Sequence, residues 1–87
     1  MDDLTAFRRD ILVIIAGLGA PHGLGIKAEL EGYYPEAIDY GRLYPNLNWL
    51  AEQGFIAKST RDARSNEYQL TDQGEQRLTE HRDWVAD

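Results

Sequence analysis

The sequence predicts a mainly α-helical domain with one β-hairpin, on three observations. Apolar residues recur at helical spacing in Phe7, Ile11, Ile14, Ile15 and Leu18, and again in Leu43, Leu47, Leu50 and Ala51. Glycines and prolines at Gly17, Gly19, Pro21, Gly23, Pro35 and Gly54 cut these stretches apart. Two short strand-like runs, 55–60 and 67–71, flank a polar turn.

The first helix is expected over residues 5–18. Thr5 or Asp3 can cap it by accepting hydrogen bonds from the free first-turn N–H groups. Leu4, Leu12 and Val13 widen its apolar stripe beyond a single core-facing strip, so the helix should be buried on two sides. In so small a domain, the second side is expected to belong to another subunit. A second helix is expected over 22–33, with Leu24, Ile26 and Leu30 as its apolar points and Pro35 preventing its continuation. Ala37, Ile38 and Asp39 form an extended link.

A third helix follows over 41–53. Proline is tolerated where its missing N–H has no intrahelical partner, which puts Pro45 in the first turn and Gly41 near the N-cap. Gly54 ends the helix as a left-handed cap. Arg42, Asn46, Trp49 and Gln53 are expected outward, with Tyr44 and Asn48 flanking. The hairpin over 57–69 is a wing with Arg61 and Arg64 at its tip. Thr71 or Asp72 then caps a last helix to about residue 85, apolar only at Leu78, Trp84 and Val85. Such a helix gains little by folding alone and is expected to contact a symmetry mate. The order is that of a winged helix-turn-helix, which places one element in a DNA groove and another on the backbone. Residues 5–71 would form the DNA-binding core and 72–87 the dimerisation helix of a single domain.

Composition narrows the alternatives. Eighty-seven residues leave no room for a second core, and the absence of cysteine removes disulfides and thiolate metal sites. A domain this small usually needs a staple or a partner, so a homodimer is expected. His22 and His81 are isolated, and no metal or cofactor is expected. The longest apolar run, 11–16, is too short for a bilayer, and no basic leader opens the chain. The expectation is a soluble, cytoplasmic protein without membrane contact. No nucleophile triad, phosphate-binding loop or zinc ligand set is present, so no catalysis is expected.

Three motifs carry a family resemblance. Gly41-Arg-Leu-Tyr-Pro-Asn-Leu47, then Leu50, then Gly54-Phe55-Ile56, resembles the PadR-like pattern of a Leu-Tyr-Pro recognition helix running into a Gly-hydrophobic-Ile strand. His22-Gly-Leu-Gly-Ile26 is similar to that family's opening of the second helix, with Leu24 where Tyr is frequent. Tyr68-x-Leu70-Thr71-x-x-Gly74 is similar to its exit from the wing. The resemblance implies a homodimeric transcriptional repressor whose first and last helices build the dimer. The short last helix is similar to that of the smaller PadR-like branch, some of whose members take up aromatic ligands between subunits. No residue here calls for such an effector.

The candidate DNA-binding residues are Lys27, Arg42, Tyr44, Asn46, Lys58, Arg61, Arg64 and Asn66. Arg42 sits where a major-groove helix contacts bases or phosphates, and Asn46, one turn on, can pair with an adenine edge. Tyr44 resembles the family's tyrosine beside the phosphate backbone. Arg61 and Arg64 have no packing role at a polar hairpin tip and can neutralise phosphates or reach the minor groove. Lys58 and, more weakly, Lys27 add phosphate contacts, while Asn66 also serves the turn. The candidate dimer residues are Leu4, Phe7, Leu12, Leu78, His81, Trp84 and Val85.

The charge opposes this reading and refines it. The formal net charge is -6, the wrong sign for a DNA binder. Yet residues 41–71 carry four basic groups (Arg42, Lys58, Arg61, Arg64) against three acidic ones (Glu52, Asp62, Glu67), and both flanking segments are acidic. Only Lys27 and Lys58 are lysines, so few lysines among many carboxylates resemble a halophilic, haloarchaeal member of the family. In molar salt the Debye length is about 3 Å, and remote acidic helices hardly repel DNA. The expected function is an inverted-repeat reader working in high salt; the rival is a winged-helix protein–protein interaction module.

Overall fold

The computed structural model describes residues 4–62 and 65–86, and no side chain at 61, 62, 65 or 84–86. Four helices and one antiparallel hairpin follow in the order α1 (Ala6–Leu18), α2 (Gly23–Tyr33), α3 (Tyr40–Glu52), β1 (Ile56–Asp62), β2 (Ser65–Leu70) and α4 (Asp72–Ala86). This is a winged helix. None of its described helices is long and apolar enough to cross a membrane.

Local chemistry sets most boundaries. Thr5 caps α1, its hydroxyl accepting from the Arg8 N–H at 3.2 Å. Gly19 ends α1 at φ +87°, in the left-handed region open to glycine. The start of α3 differs from expectation: Asp39, not Gly41, is the N-cap, and its carboxylate accepts from the Arg42 N–H at 2.8 Å. Pro45 therefore lies inside the helix. The Asp39 cap sets the start of the helix, and the turn continues through Pro45 without the hydrogen bond that proline forfeits. At the other end Gly54 (φ +86°) forms a Schellman motif, with Phe55 N–H donating to the Leu50 carbonyl at 3.0 Å and Gly54 N–H to Ala51 at 3.1 Å.

One core serves all the elements. Ile11, Leu12, Ile15, Ile26, Leu30, Leu43, Leu47 and Leu50 are fully buried with Ile38, and Phe55, Ile56 and Tyr68 close it from the wing root. Leu24 is a correction. It is 66% exposed, because it stands on the opposite side of α2 from Ile26 and Leu30.

The wide stripe of α1 has a different cause from the one expected. The helix packs against α2, α3, β2 and α4 of its own chain. Leu4, Phe7 and Leu12 are consumed by those contacts, Leu12 completely, and have no surface to give a second subunit. The apolar surface α1 leaves free is Val13 and Leu18, 53% and 48% exposed.

Candidate nucleic-acid interface

The turn from α3 into the wing is tied at its base. Thr71 N–H donates to the Phe55 carbonyl at 3.1 Å, and its hydroxyl donates to the Gly54 carbonyl at 2.6 Å while accepting from Gly74 N–H at 3.1 Å. One side chain thus caps α4 and holds the end of α3. Tyr68 N–H donates to the Pro21 carbonyl at 3.0 Å, fixing β2 against the entry to α2. The hairpin cannot swing independently of the recognition helix without breaking these bonds.

Helix α3 presents a core face, an opposite exposed face and two flanks. Leu43, Leu47 and Leu50 face the core. Gly41, Pro45, Asn48 and Glu52 share the opposite, exposed face. Between them run two flanks. On the α2 side, Tyr40 stacks on Tyr44 with ring centroids 5.4 Å apart, and the Lys27 ammonium lies 5.5 Å from the Tyr40 ring. Lys27 also pairs with Glu31 at 3.2 Å. Tyr44 is partly buried, its ring lying over Gly23 where any side chain would collide with it.

The other flank meets α1. The Arg42 guanidinium stands 3.9 Å above the Phe7 ring. Asn46 accepts from Arg8 Nε at 2.8 Å and donates to the Arg42 carbonyl at 2.7 Å. This corrects the reading of Asn46 as an outward base reader: its amide is occupied at both ends. Trp49 is likewise turned toward the protein, packed on the core and covered by the Arg8 guanidinium at 3.9 Å. Asn48 is the exposed amide of the helix. Sequence spacing assigned it only a flanking place because Ala51 was counted on the core face with Leu43, Leu47 and Leu50, whereas the three buried leucines alone put Asn48 opposite the core.

In the wing, Lys58 pairs with Tyr68 and Thr60 with Asn66 across the ladder. Lys58 is exposed, and the Asn66 amide oxygen accepts from the Thr60 hydroxyl at 3.1 Å. The register shifts between Thr60 and Asp62, leaving Arg61 as the extra residue of a bulge. The Arg61 side chain and all of Arg64 lie outside the described residues, as do the side chains of Trp84 and Val85. Of the candidate dimer residues on α4, Leu78 packs partly buried on the chain's own core and His81 is half-buried. Among the described residues no cluster of His, Asp or Glu is arranged to hold a metal ion.

Comparison with known proteins places this architecture. Residues 11–80 match the family model described as the transcriptional regulator PadR-like family. RosR from H. salinarum, grown from NaBr, shares 46% identity and superposes with a TM-score of 0.91 over 97% of this chain and 76% of that one. The hsRosR–SG complex gives 0.93 at 46% identity over 98% and 75%. PadR from Bacillus subtilis in complex with operator DNA gives 0.74 at 26% identity, over 95% of this chain and 48% of that one. No curated protein matches the chain by sequence. With four-fifths of its length inside the family pattern, the chain belongs to the PadR-like family of transcriptional regulators.

Proposed function

We propose that this chain is a sequence-specific DNA-binding regulator, a homodimeric repressor that sets α3 in the major groove and the wing on the neighbouring backbone. The observation that carries the reading is the exposed face of α3. Gly41, Pro45, Asn48 and Glu52 make no large side-chain contact with the core, and the Arg42 guanidinium stands on the α1 flank of the helix. A groove-entering helix needs this arrangement, with small or polar groups at the base edges and positive charge toward the phosphates. The operator complex of the similar Bacillus subtilis PadR supports the same partner. In a two-fold dimer, two recognition helices about 34 Å apart read an inverted repeat. Repression follows from occlusion of the promoter.

Dimerisation is expected through α4, including Trp84 and Val85, and through Val13 and Leu18 of α1. Leu4, Phe7 and Leu12 no longer belong to that surface. High salt is the expected working condition, since at a Debye length of about 3 Å only short-range contacts act. A mobility-shift assay with a duplex from the chain's own upstream region tests the reading. Arg61→Ala/Arg64→Ala should abolish or strongly weaken retardation. Unchanged retardation would favour a protein–protein interaction module.

A further inference from the structure

The seam between α1 and α3 holds two arginines on aromatic rings. Arg8 lies in the first turn of α1, its guanidinium carbon 3.9 Å from the Trp49 ring centroid and its Nε bonded to Asn46 Oδ1 at 2.8 Å. Arg42, on the neighbouring turn of α3, stacks on Phe7 at the same 3.9 Å. Asn46 joins the two, because its amide nitrogen donates to the Arg42 carbonyl at 2.7 Å. Among the described residues, no carboxylate forms an ion pair with either guanidinium. That is unexpected in a chain with 15 acidic and 9 basic side chains, where cations are the scarcer partner.

A guanidinium with one face on a ring keeps its edge donors outward in a fixed plane, the geometry that fits two oxygens of one phosphate. Arg8 has one nitrogen committed to Asn46, and its terminal NH2 groups have no hydrogen-bond partner among the described residues. A helix with side chains is about 10–12 Å across and fills a major groove about 12 Å wide. The flanks of α3 therefore face the two phosphate strands. On the α2 flank Lys27 is already neutralised by Glu31. The α1 flank carries both uncompensated charges.

We propose that the α1–α3 seam is a phosphate clamp, in which Arg8, stacked on Trp49 and aligned by Asn46, binds a DNA backbone phosphate beside Arg42. The N-terminal turn of α1 is then part of the DNA interface. Asn46 acts as the positioning residue that orients Arg8 and does not read a base. This inference rests on the DNA-binding reading above.

The test uses a duplex enriched from a random-sequence library by repeated binding to the wild-type full chain. Affinity is measured across a salt series for wild type, Arg8→Gln and Arg8→Lys, with melting temperatures recorded without DNA. Each phosphate contact contributes about 0.9 to the slope of log affinity against log salt. Arg8→Gln should make the slope less negative by about 0.9 per protomer bound, and Arg8→Lys should restore most of it. A slope equal to wild type in Arg8→Gln overturns the clamp, whether affinity is unchanged or lowered, since lost packing moves affinity without releasing a counterion. Failure of the wild-type chain to enrich any duplex overturns the DNA reading as well, and so separates the two failures.

Discussion

A Cβ placed on Gly74 would run into the carbonyl oxygen of Phe55, backbone against backbone. The first turn of α4 is pressed onto the turn that joins α3 to the wing, and neither side can yield as a flexible side chain would.

Gly74→Ala should therefore destabilise the fold by about 3 kcal/mol, the upper end of overpacking costs. Gly32 offers the opposite sign. It is helical with nothing within 4 Å of its missing Cβ, so Gly32→Ala should stabilise by about 0.4–1 kcal/mol through the unfolded chain. Urea unfolding of both variants measures the contrast.

Thr71 serves two partners with one hydroxyl. Thr71→Val should cost about 1–3 kcal/mol, from a lost cap and an orphaned Gly54 carbonyl, whereas Thr71→Ser should cost much less. Hydrogen exchange should also report earlier opening of α4 in the valine variant, with α2 unaffected.

Pro45 sits inside α3 and is exposed, so the Gly41 carbonyl has no N–H at 45 to accept from. Pro45→Ala restores that bond and should stabilise the chain by about 1–3 kcal/mol. If the proline shapes the groove-facing surface, the same variant should bind the enriched duplex no better, and preferably worse, than wild type. A thermal melt and a titration together decide this.

Glu31 holds the link into α3. Its carboxylate accepts from the Ile38 N–H at 3.1 Å and from Lys27 at 3.2 Å. The Ile38 hydrogen bond, then Lys27, lower its pKa from the ordinary 4.5. A carboxyl that is more acidic when folded contributes stability above 4.5, and that contribution is lost as pH falls through its lowered folded value. Glu31→Gln should be less stable than wild type at neutral pH, and the gap should close on acidification below 4.5. Melting temperatures at pH 7 and pH 3 measure the difference.

Much of the fold was legible because its signals are local. The α1 stripe, the leucines of α3, the Gly54 cap and the strand runs each depend on residues a few positions apart, and each appears where its spacing put it. The motif ending in Gly74 was recognisable as a pattern, but its reason was not, since the Phe55 carbonyl that forbids a side chain lies 19 positions away. The start of α3 was misplaced because proline was weighed more heavily than the Asp39 cap.

The fate of the outward residues was the least legible part. Asn46 and Trp49 fall on one helical strip with Arg42, and spacing alone calls that strip solvent. Arg8 lies 38 positions from Asn46, and nothing in the pattern of α1 announces that it crosses to α3. Leu4, Phe7 and Leu12 were equally ambiguous, because periodicity reports that a face is apolar without saying whose surface covers it. By itself, the sequence determined the element order, the family pattern and the placing of positive charge in residues 41–71, all encoded in short-range spacing and composition. Only the tertiary structure decided which polar groups stay open to a partner, because that depends on long-range contacts that use up hydrogen bonds and ring faces.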